Sequence, residues 1–317
     1  MVAGENNEDL LKSDHVSEDI KRKLKLIKDS KAYFEKVLGV DTGATYEKTI
    51  LLDRDAVSYL GIRSKINKIK SIKECFPLFG CFPYLGFFDK SEAKLFLSEQ
   101  PDDISTHLRP VYAYSSLGKY SDRVLSPFFR YSDKKLAELI FHELFHHVFF
   151  IKNEVTVNEN LATFFARLMV KDFFKNSTDK HEVGEKEKLE ISKLRAKKRI
   201  LLVEMIKSLN KDKEFRNVKT RLASNAYIKK RVEELNKNIK DECISTALKN
   251  CLFIPGQWSA ARLSEYSTYQ SKQKFFETIY NERFNNLKSF FDYLFLNYKK
   301  FKNSSEKKSF IDYLKSR

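Results

Sequence analysis

Residues 132–147 read SDKKLAELIFHELFHH. Leu136, Leu139, Ile140, Leu144 and Phe145, followed by Val148, recur at helical spacing, and Ser132 with Asp133 supplies a start signal. The pattern predicts one continuous helix ending near residues 152–153, apolar on so much of its surface that it belongs to a core. Inside it stands H-E-x-x-H. His142 and His146, at i and i+4, lie one above the other on a helix face and can aim nitrogen lone pairs at a single ion, which is zinc-ligand spacing. Glu143 projects near the same ion and can take a proton from water attacking a carbonyl. The chain has 6 His in 317 residues, and random placement would produce roughly 0.01 such motifs. Imidazoles and a carboxylate on a buried helix need partners, because an unpaired buried charge is expensive.

The next informative stretch is VNENLATFF at 157–165, which opens a second helix predicted over about residues 158–174. If the two helices run antiparallel, Glu159 returns to the first one. Glu159 is therefore the expected third protein ligand of a catalytic zinc, which usually has three such ligands and a water. Glu154 on the connecting segment and His147 compete for that role, although the His147 ring should point about 100° around the helix from His146. One Zn2+ per chain is expected.

Working outward, the first sixteen residues are polar and expected to be flexible. Ser17 then caps a helix with apolar positions Ile20, Leu24, Ile27, Phe34 and Leu38, ended by Gly39. Residues 45–90 change character. Short apolar runs such as 49–52 are broken by Pro77, Gly80, Pro83 and Gly86, which suits strands and tight turns. A short helix capped by Ser91 and a strand at 111–116 (VYAYSS) complete this part. Beyond residue 175, the stretches 189–209 and 222–239 are long, Lys-rich and amphipathic, separated by KDKEFRNVK, the pattern of a helical hairpin over 184–240. The Pro255–Gly256 turn leads to two or three helices within 257–315. The expected fold class is helix-rich α+β. Its parts are a flexible 1–16, a core at 17–175 with a small antiparallel sheet, and a helical region at 176–317 containing the long hairpin.

Composition narrows the function. With 42% apolar residues, 27 Phe and 15 Tyr, the chain can bury a large core, and 9 Gly with 6 Pro is too few for a turn-dense all-β or collagen-like protein. The net charge is +16, and residues 171–240 supply much of it with 21 Lys/Arg against 11 Asp/Glu. Between 184 and 240 only Phe215 and Tyr227 are aromatic, too few to stack bases, so a solvated hairpin is expected and nucleic acid is not. No eighteen-residue uncharged apolar window exists, which excludes a transmembrane helix. The start carries neither a signal pattern nor a Cys for a lipid anchor, so the chain as written reads as soluble. Four cysteines form two close pairs, Cys75/Cys81 and Cys243/Cys251. They are free thiols in a cytosolic protein or disulfides in an exported one. For an exported form, Cys75–Cys81 is the expected bond, because the CFPLFGC loop can turn back on itself.

The pieces CFPLFGC, YLGFF, AYSSLGKYSDRVLSPFFRY, LAELIFHELFHH and NENLATFFA, in this order, resemble a bacterial family of gluzincin-like zinc aminopeptidases. The likeness covers about residues 20–300 and is strongest over 75–170. It implies a zincin-like core, a zinc site at His142, His146 and Glu159, Glu143 as general base, and a peptide as substrate. Many members resemble exported lipoproteins. The implied location is the cell envelope or periplasm if this sequence is a trimmed exported form, and the cytoplasm otherwise. A membrane tether is expected only through a lipidated N-terminus that this sequence does not carry. AARLSEYSTY at 260–269 resembles the family's C-terminal segment, with Ala260 where the family often has Asn. That makes Tyr269, and beside it Tyr266, candidates to donate to a developing oxyanion. The AYSSLG strand edge is a candidate for binding an extended peptide. The expected function is a zinc-dependent metallopeptidase of the aminopeptidase kind. The alternative is a basic helical binding protein with a structural or inactive metal site, which a closed four-ligand centre or strongly salt-dependent binding would favour.

Overall fold

Ser17 accepts from the Ile20 N–H at 3.4 Å and starts the Glu18–Leu38 helix, which Gly39 ends in the left-handed region at φ 63°. Both end signals therefore act as the sequence predicts. The computed structural model describes residues 4–52, 54, 56–76, 80–112, 121–175, 185–245, 251–304 and 309–317. The protein is helix-rich α+β with small sheets. It divides into two compact units, one made of Met1–Ser58, Pro110–Ser177 and Lys272–Arg317, the other of Tyr59–Arg109 and Thr178–Ser271. The sequence pattern places its main boundary near residue 175, whereas the chain leaves and re-enters the first unit twice. Compactness follows contacts between segments far apart in sequence, which a running composition does not register.

In the first unit the helices Asp133–Val148 and Val155–Phe173 pack as a pair. Glu18–Leu38 packs on the former and Gln273–Arg283 on the latter. Arg22 pairs with Asp133 in the first turn of the histidine-bearing helix, and Lys23 donates to the Phe129 carbonyl, so the approach to that helix is tied from one side. Phenylalanines fill the space between. Phe165 stacks on Phe145 at 4.6 Å and on Phe290, from Leu287–Lys302, at 5.6 Å, all three fully buried. Each such ring contributes roughly 1.5–3 kcal/mol of transfer free energy.

The histidine-bearing helix ends at Val148 rather than near 152–153. Phe149 is already extended, Asn153 turns at φ 65°, and the Asn158 carboxamide takes both backbone groups of Ile151. A side chain competing for backbone hydrogen bonds ends a helix that apolar spacing alone would prolong.

Residues 5–12 are ordered where flexibility was expected. Glu5–Asn6 pairs antiparallel with Lys48–Ile50, and the Asn7–Lys12 helix follows, with Leu10 buried. Asn7 donates to the Tyr46 carbonyl at 2.8 Å and accepts from the Thr49 hydroxyl at 2.6 Å. A polar segment is thus held by hydrogen bonds, which hydropathy does not show. Lys48–Ile50 in turn pairs parallel with Val124–Leu125, so the sheet of this unit is mixed rather than purely antiparallel.

The second unit contains a sheet in the order Leu85–Phe87, Ser58–Lys65, Ile104–Val111, and a separate hairpin of Glu74–Phe76 with Gly80–Phe82. Cys75 and Cys81 stand opposite each other in that hairpin, Cα atoms 4.0 Å apart, and are disulfide-bonded. Cys243 and Cys251 form a second disulfide. The helix expected at Ser91 is Lys90–Ser98, capped instead by Asp89, whose carboxylate accepts from Ser91 and Glu92 N–H groups. Ser91 therefore lies inside the first turn, and Asp89 holds the cap position. The expected 111–116 strand is entered earlier, at Ile104, and residues 113–116, with the rest of AYSSLG, lie outside the described residues.

The Lys-rich helices are Glu185–Leu209 and Arg221–Lys237, and they bury Leu202, Leu209, Ile228 and Val232 around Phe215. Trp258, the single tryptophan, packs edge-on against Phe253 and Tyr266, with the Arg262 guanidinium 4.9 Å over its ring. After the Pro255–Gln257 turn the described residues form four helices rather than two or three: Ala260–Gln270, Gln273–Arg283, Leu287–Lys302 and Phe310–Lys315. The break between the first two has neither Gly nor Pro, so sequence punctuation does not mark it. No helix among the described residues is long and apolar enough to cross a membrane.

Candidate metal centre

The antiparallel return of the Val155–Phe173 helix brings Glu159 to His142 and His146. Glu159 Oε2 lies 3.1 Å from His142 Nε2 and 3.6 Å from His146 Nε2, and the two Nε2 atoms are 3.1 Å apart. The rings meet edge to face at 86°. The side chains of His142, His146 and Glu159 are 17%, 7% and 13% exposed, so the cluster is largely closed to water. These three residues could hold a metal ion. An ion with four tetrahedral ligands at about 2.0–2.1 Å keeps its donors about 3.3–3.4 Å apart, and the three observed separations bracket that value. Two imidazole nitrogens and one carboxylate oxygen form a set that suits zinc.

Neither competing ligand belongs to the group. Glu154 is committed elsewhere, its Oε1 accepting from the Phe310 N–H at 3.1 Å. His147 follows His146 by one residue, so its ring leaves the helix on another side, with Nδ1 buried and without a hydrogen-bond partner. Nδ1 of His146 is likewise buried and unpartnered, so no hydrogen bond from that side sets the tautomer of the ring.

The charges in the cluster shift one another. Burial raises the Glu143 carboxyl, with Glu159 and Asp122 adding to the rise and the two histidines opposing it. Burial works against protonation of His146, but the carboxylates of Glu159 and Glu143 outweigh it and raise the imidazole. Burial likewise opposes the ionised form of Glu159, yet His146 and His142 hold it well below the usual carboxylate range. Two acidic side chains of the same cluster are thus shifted in opposite directions by their surroundings.

Two neighbours carry no signal in the sequence. Asp122 is buried, and its charge acts on both Glu143 and Tyr46. Tyr46 is buried, held at φ 64°, and its hydroxyl has no hydrogen-bond partner. Its N–H donates to the Asp122 carbonyl at 2.7 Å. Burial first, then the charges of Glu143 and Asp122, push the phenol well above its ordinary range. Sequence spacing cannot show such neighbours, because residues 46, 122 and 143 come from three separate segments.

Tyr269 and Tyr266 lie on Ala260–Gln270, in the second unit. Arg109 donates to the Tyr269 hydroxyl at 2.7 Å and lies 4.8 Å over its ring, while Glu265 pairs with Arg109 at 3.0 Å and with His107 at 3.3 Å. Burial opposes ionisation of Glu265, but His107 and Arg109 lower it. Tyr266 packs against Trp258.

Neither the curated proteins nor the solved structures contain a match to this sequence. A family model described as "Putative aminopeptidase" matches residues 1–309, and the chain belongs to that family.

Proposed function

We propose that the protein is a zinc-dependent metallopeptidase of gluzincin type, with a zincin-like core in its first unit. The observation that carries this reading is the convergence of His142, His146 and Glu159 from two paired helices at separations that fit a tetrahedral ion. Zinc held there would supply Lewis acidity toward a scissile carbonyl and its attacking water. Glu143, following the ligand His142, accepts the proton of that water on a carboxylate oxygen and returns it to the leaving amine. Its raised proton affinity suits both transfers. Membership of the family supports a peptide substrate and removal of N-terminal residues.

On the resemblance of the AARLSEYSTY segment alone, Tyr269 is the proposed donor to the developing oxyanion; within the second unit its hydroxyl accepts a hydrogen bond from Arg109. Tyr269→Phe should lower kcat while zinc content stays unchanged. Residence in the cell envelope is part of the same proposal, supported by the two disulfides, which persist in oxidising compartments. Thiol titration of protein purified without reductant should find no free thiol.

The deciding experiment is metal analysis of the purified chain together with digestion of a mixed peptide library. One zinc per chain and products shortened from the N-terminus are expected. Zinc-loaded protein that cleaves nothing in a broad library would remove the peptidase reading.

A further inference from the structure

Asn158, Glu159 and Asn160 are consecutive in the first turns of the Val155–Phe173 helix, so their side chains leave it about 100° apart. The two asparagines are among the most buried polar residues of the first unit, 1% and 0% exposed. Each grips a different segment. The Asn158 carboxamide accepts from the Ile151 N–H at 2.9 Å and donates to the Ile151 carbonyl at 2.8 Å, which locks the connection arriving from the histidine-bearing helix.

Asn160 reaches the other way. Its Oδ1 accepts from the Lys272 N–H at 2.9 Å and from Gln273 Nε2 at 3.3 Å, while its backbone carbonyl accepts from Gln273 Nε2 at 2.8 Å. Its own Nδ2 donates to the Thr156 carbonyl at 2.7 Å. The Gln273–Arg283 helix has no side-chain cap at Lys272, and its start is held to Asn160 through the N–H of Lys272 itself. Gln273, 2% exposed, also accepts from Arg167 at 3.5 Å.

The helix carrying Glu159 is therefore held on both flanks of Glu159, against turning about its own axis. Rotation is the motion the site tolerates least. A carboxylate oxygen about 5–6 Å from a helix axis moves roughly 1.5 Å for a 15° turn, whereas ligand distances in a metal site hold to about 0.2 Å.

We infer that Asn158 and Asn160 are positioning residues for the metal centre: by fixing the rotation of their helix they set how tightly, and in what ligand field, the ion is held. The inference rests on the proposed reading of His142, His146 and Glu159 as a zinc site. It adds two groups that touch neither the ion nor a substrate.

The test uses the full chain and two probes, zinc titrated against a chromophoric chelator and the visible spectrum of the cobalt(II)-loaded protein. Asn158→Ala and Asn160→Ala should each weaken zinc binding by roughly 10–100-fold, as loss of an outer-shell partner does, and should alter the cobalt bands. The control is Asn297→Ala. Asn297 is also a buried asparagine of the first unit, but its Nδ2 donates to the Tyr293 carbonyl in its own helix at 2.8 Å. That variant should lower Tm and leave both metal readouts unchanged.

If Asn160→Ala does not fold, Gln273→Ala removes the two hydrogen bonds Asn160 accepts from that side chain while keeping the asparagine and its bond from the Lys272 N–H, and weakening in the same direction is expected. Wild-type affinity and an unchanged cobalt spectrum in folded Asn158→Ala and in folded Asn160→Ala or Gln273→Ala would overturn the inference and leave the zinc site standing. Equal weakening by Asn297→Ala would also overturn it, by showing that any loss of stability loosens the ion. Wild-type protein that binds neither metal would overturn the reading of the site and this inference together.

Discussion

The helical hairpin at 133–173 turns imidazoles and carboxylates inward, among fully buried phenylalanines, whereas in the one at 185–237 most charged side chains described, over 190–237, face outward. In the second hairpin Lys193, Lys229, Lys230 and Lys237 are exposed, and Leu202, Leu209, Ile228 and Val232 take the core. Charge count alone would have pointed to the second hairpin as functional. Placement points to the first. An ionisable group in a largely apolar surrounding is expensive unless something pairs with it, and the three metal-capable donors there pair with one another at 3.1–3.6 Å. Solvated lysines carry no such requirement and need no partner beyond water.

Substitutions in the two hairpins should therefore differ in scale. The largest effect is expected at the centre of the cluster: His146→Ala should abolish both zinc retention and hydrolysis, read by metal analysis and peptide turnover on the same sample. Retained zinc would transfer the ligand role to another side chain. Glu143→Gln should keep zinc and fold but reduce hydrolysis by at least about 10²-fold, the loss expected for a missing general base. Undiminished turnover would show that another group moves the proton.

Phe165→Ala probes packing rather than chemistry. It should cost about 3–5 kcal/mol of stability, as emptying an aromatic core position does, measured by chemical denaturation. A cost as small as that of a surface change would mean that the stacked Phe145–Phe165–Phe290 arrangement does not bear on folding. At the other end of the scale, Lys229→Gln should change stability by no more than about 0.5 kcal/mol, since its contact with Glu233 is a 4.0 Å pair between exposed side chains. A steep loss there would show that the second hairpin's charges also have specific partners.

Most of the helical architecture and the three donor positions were legible in the sequence because they rest on short-range rules. The i, i+4 spacing places His142 over His146, Ser17 and Gly39 bracket a helix, and a short connection returns Glu159. What escaped depends on contacts between distant segments. Asp122 and Tyr46 join the Glu143 environment from elsewhere in the chain, Asn7 secures a polar terminus by hydrogen bonds to the Tyr46 carbonyl and Thr49, and Asn158 stops a helix that its own apolar period would extend. The Ser91 cap failed for a local reason. The helix starts at Lys90, one residue before Ser91, so the cap position falls on Asp89, whose carboxylate accepts from the Ser91 and Glu92 N–H groups.

The setting of Trp258 has a practical consequence for watching this protein unfold. As the single indole, held between Phe253 and Tyr266 in the second unit, it makes tryptophan emission a reporter of that unit's folding. A fluorescence melt reads the surroundings of Trp258 in the second unit, whereas the aromatic core of the first is built from phenylalanine and tyrosine. Stabilisation by bound metal should accordingly be sought by calorimetry or tyrosine absorbance, since a ligand raises the apparent stability of the structure it binds.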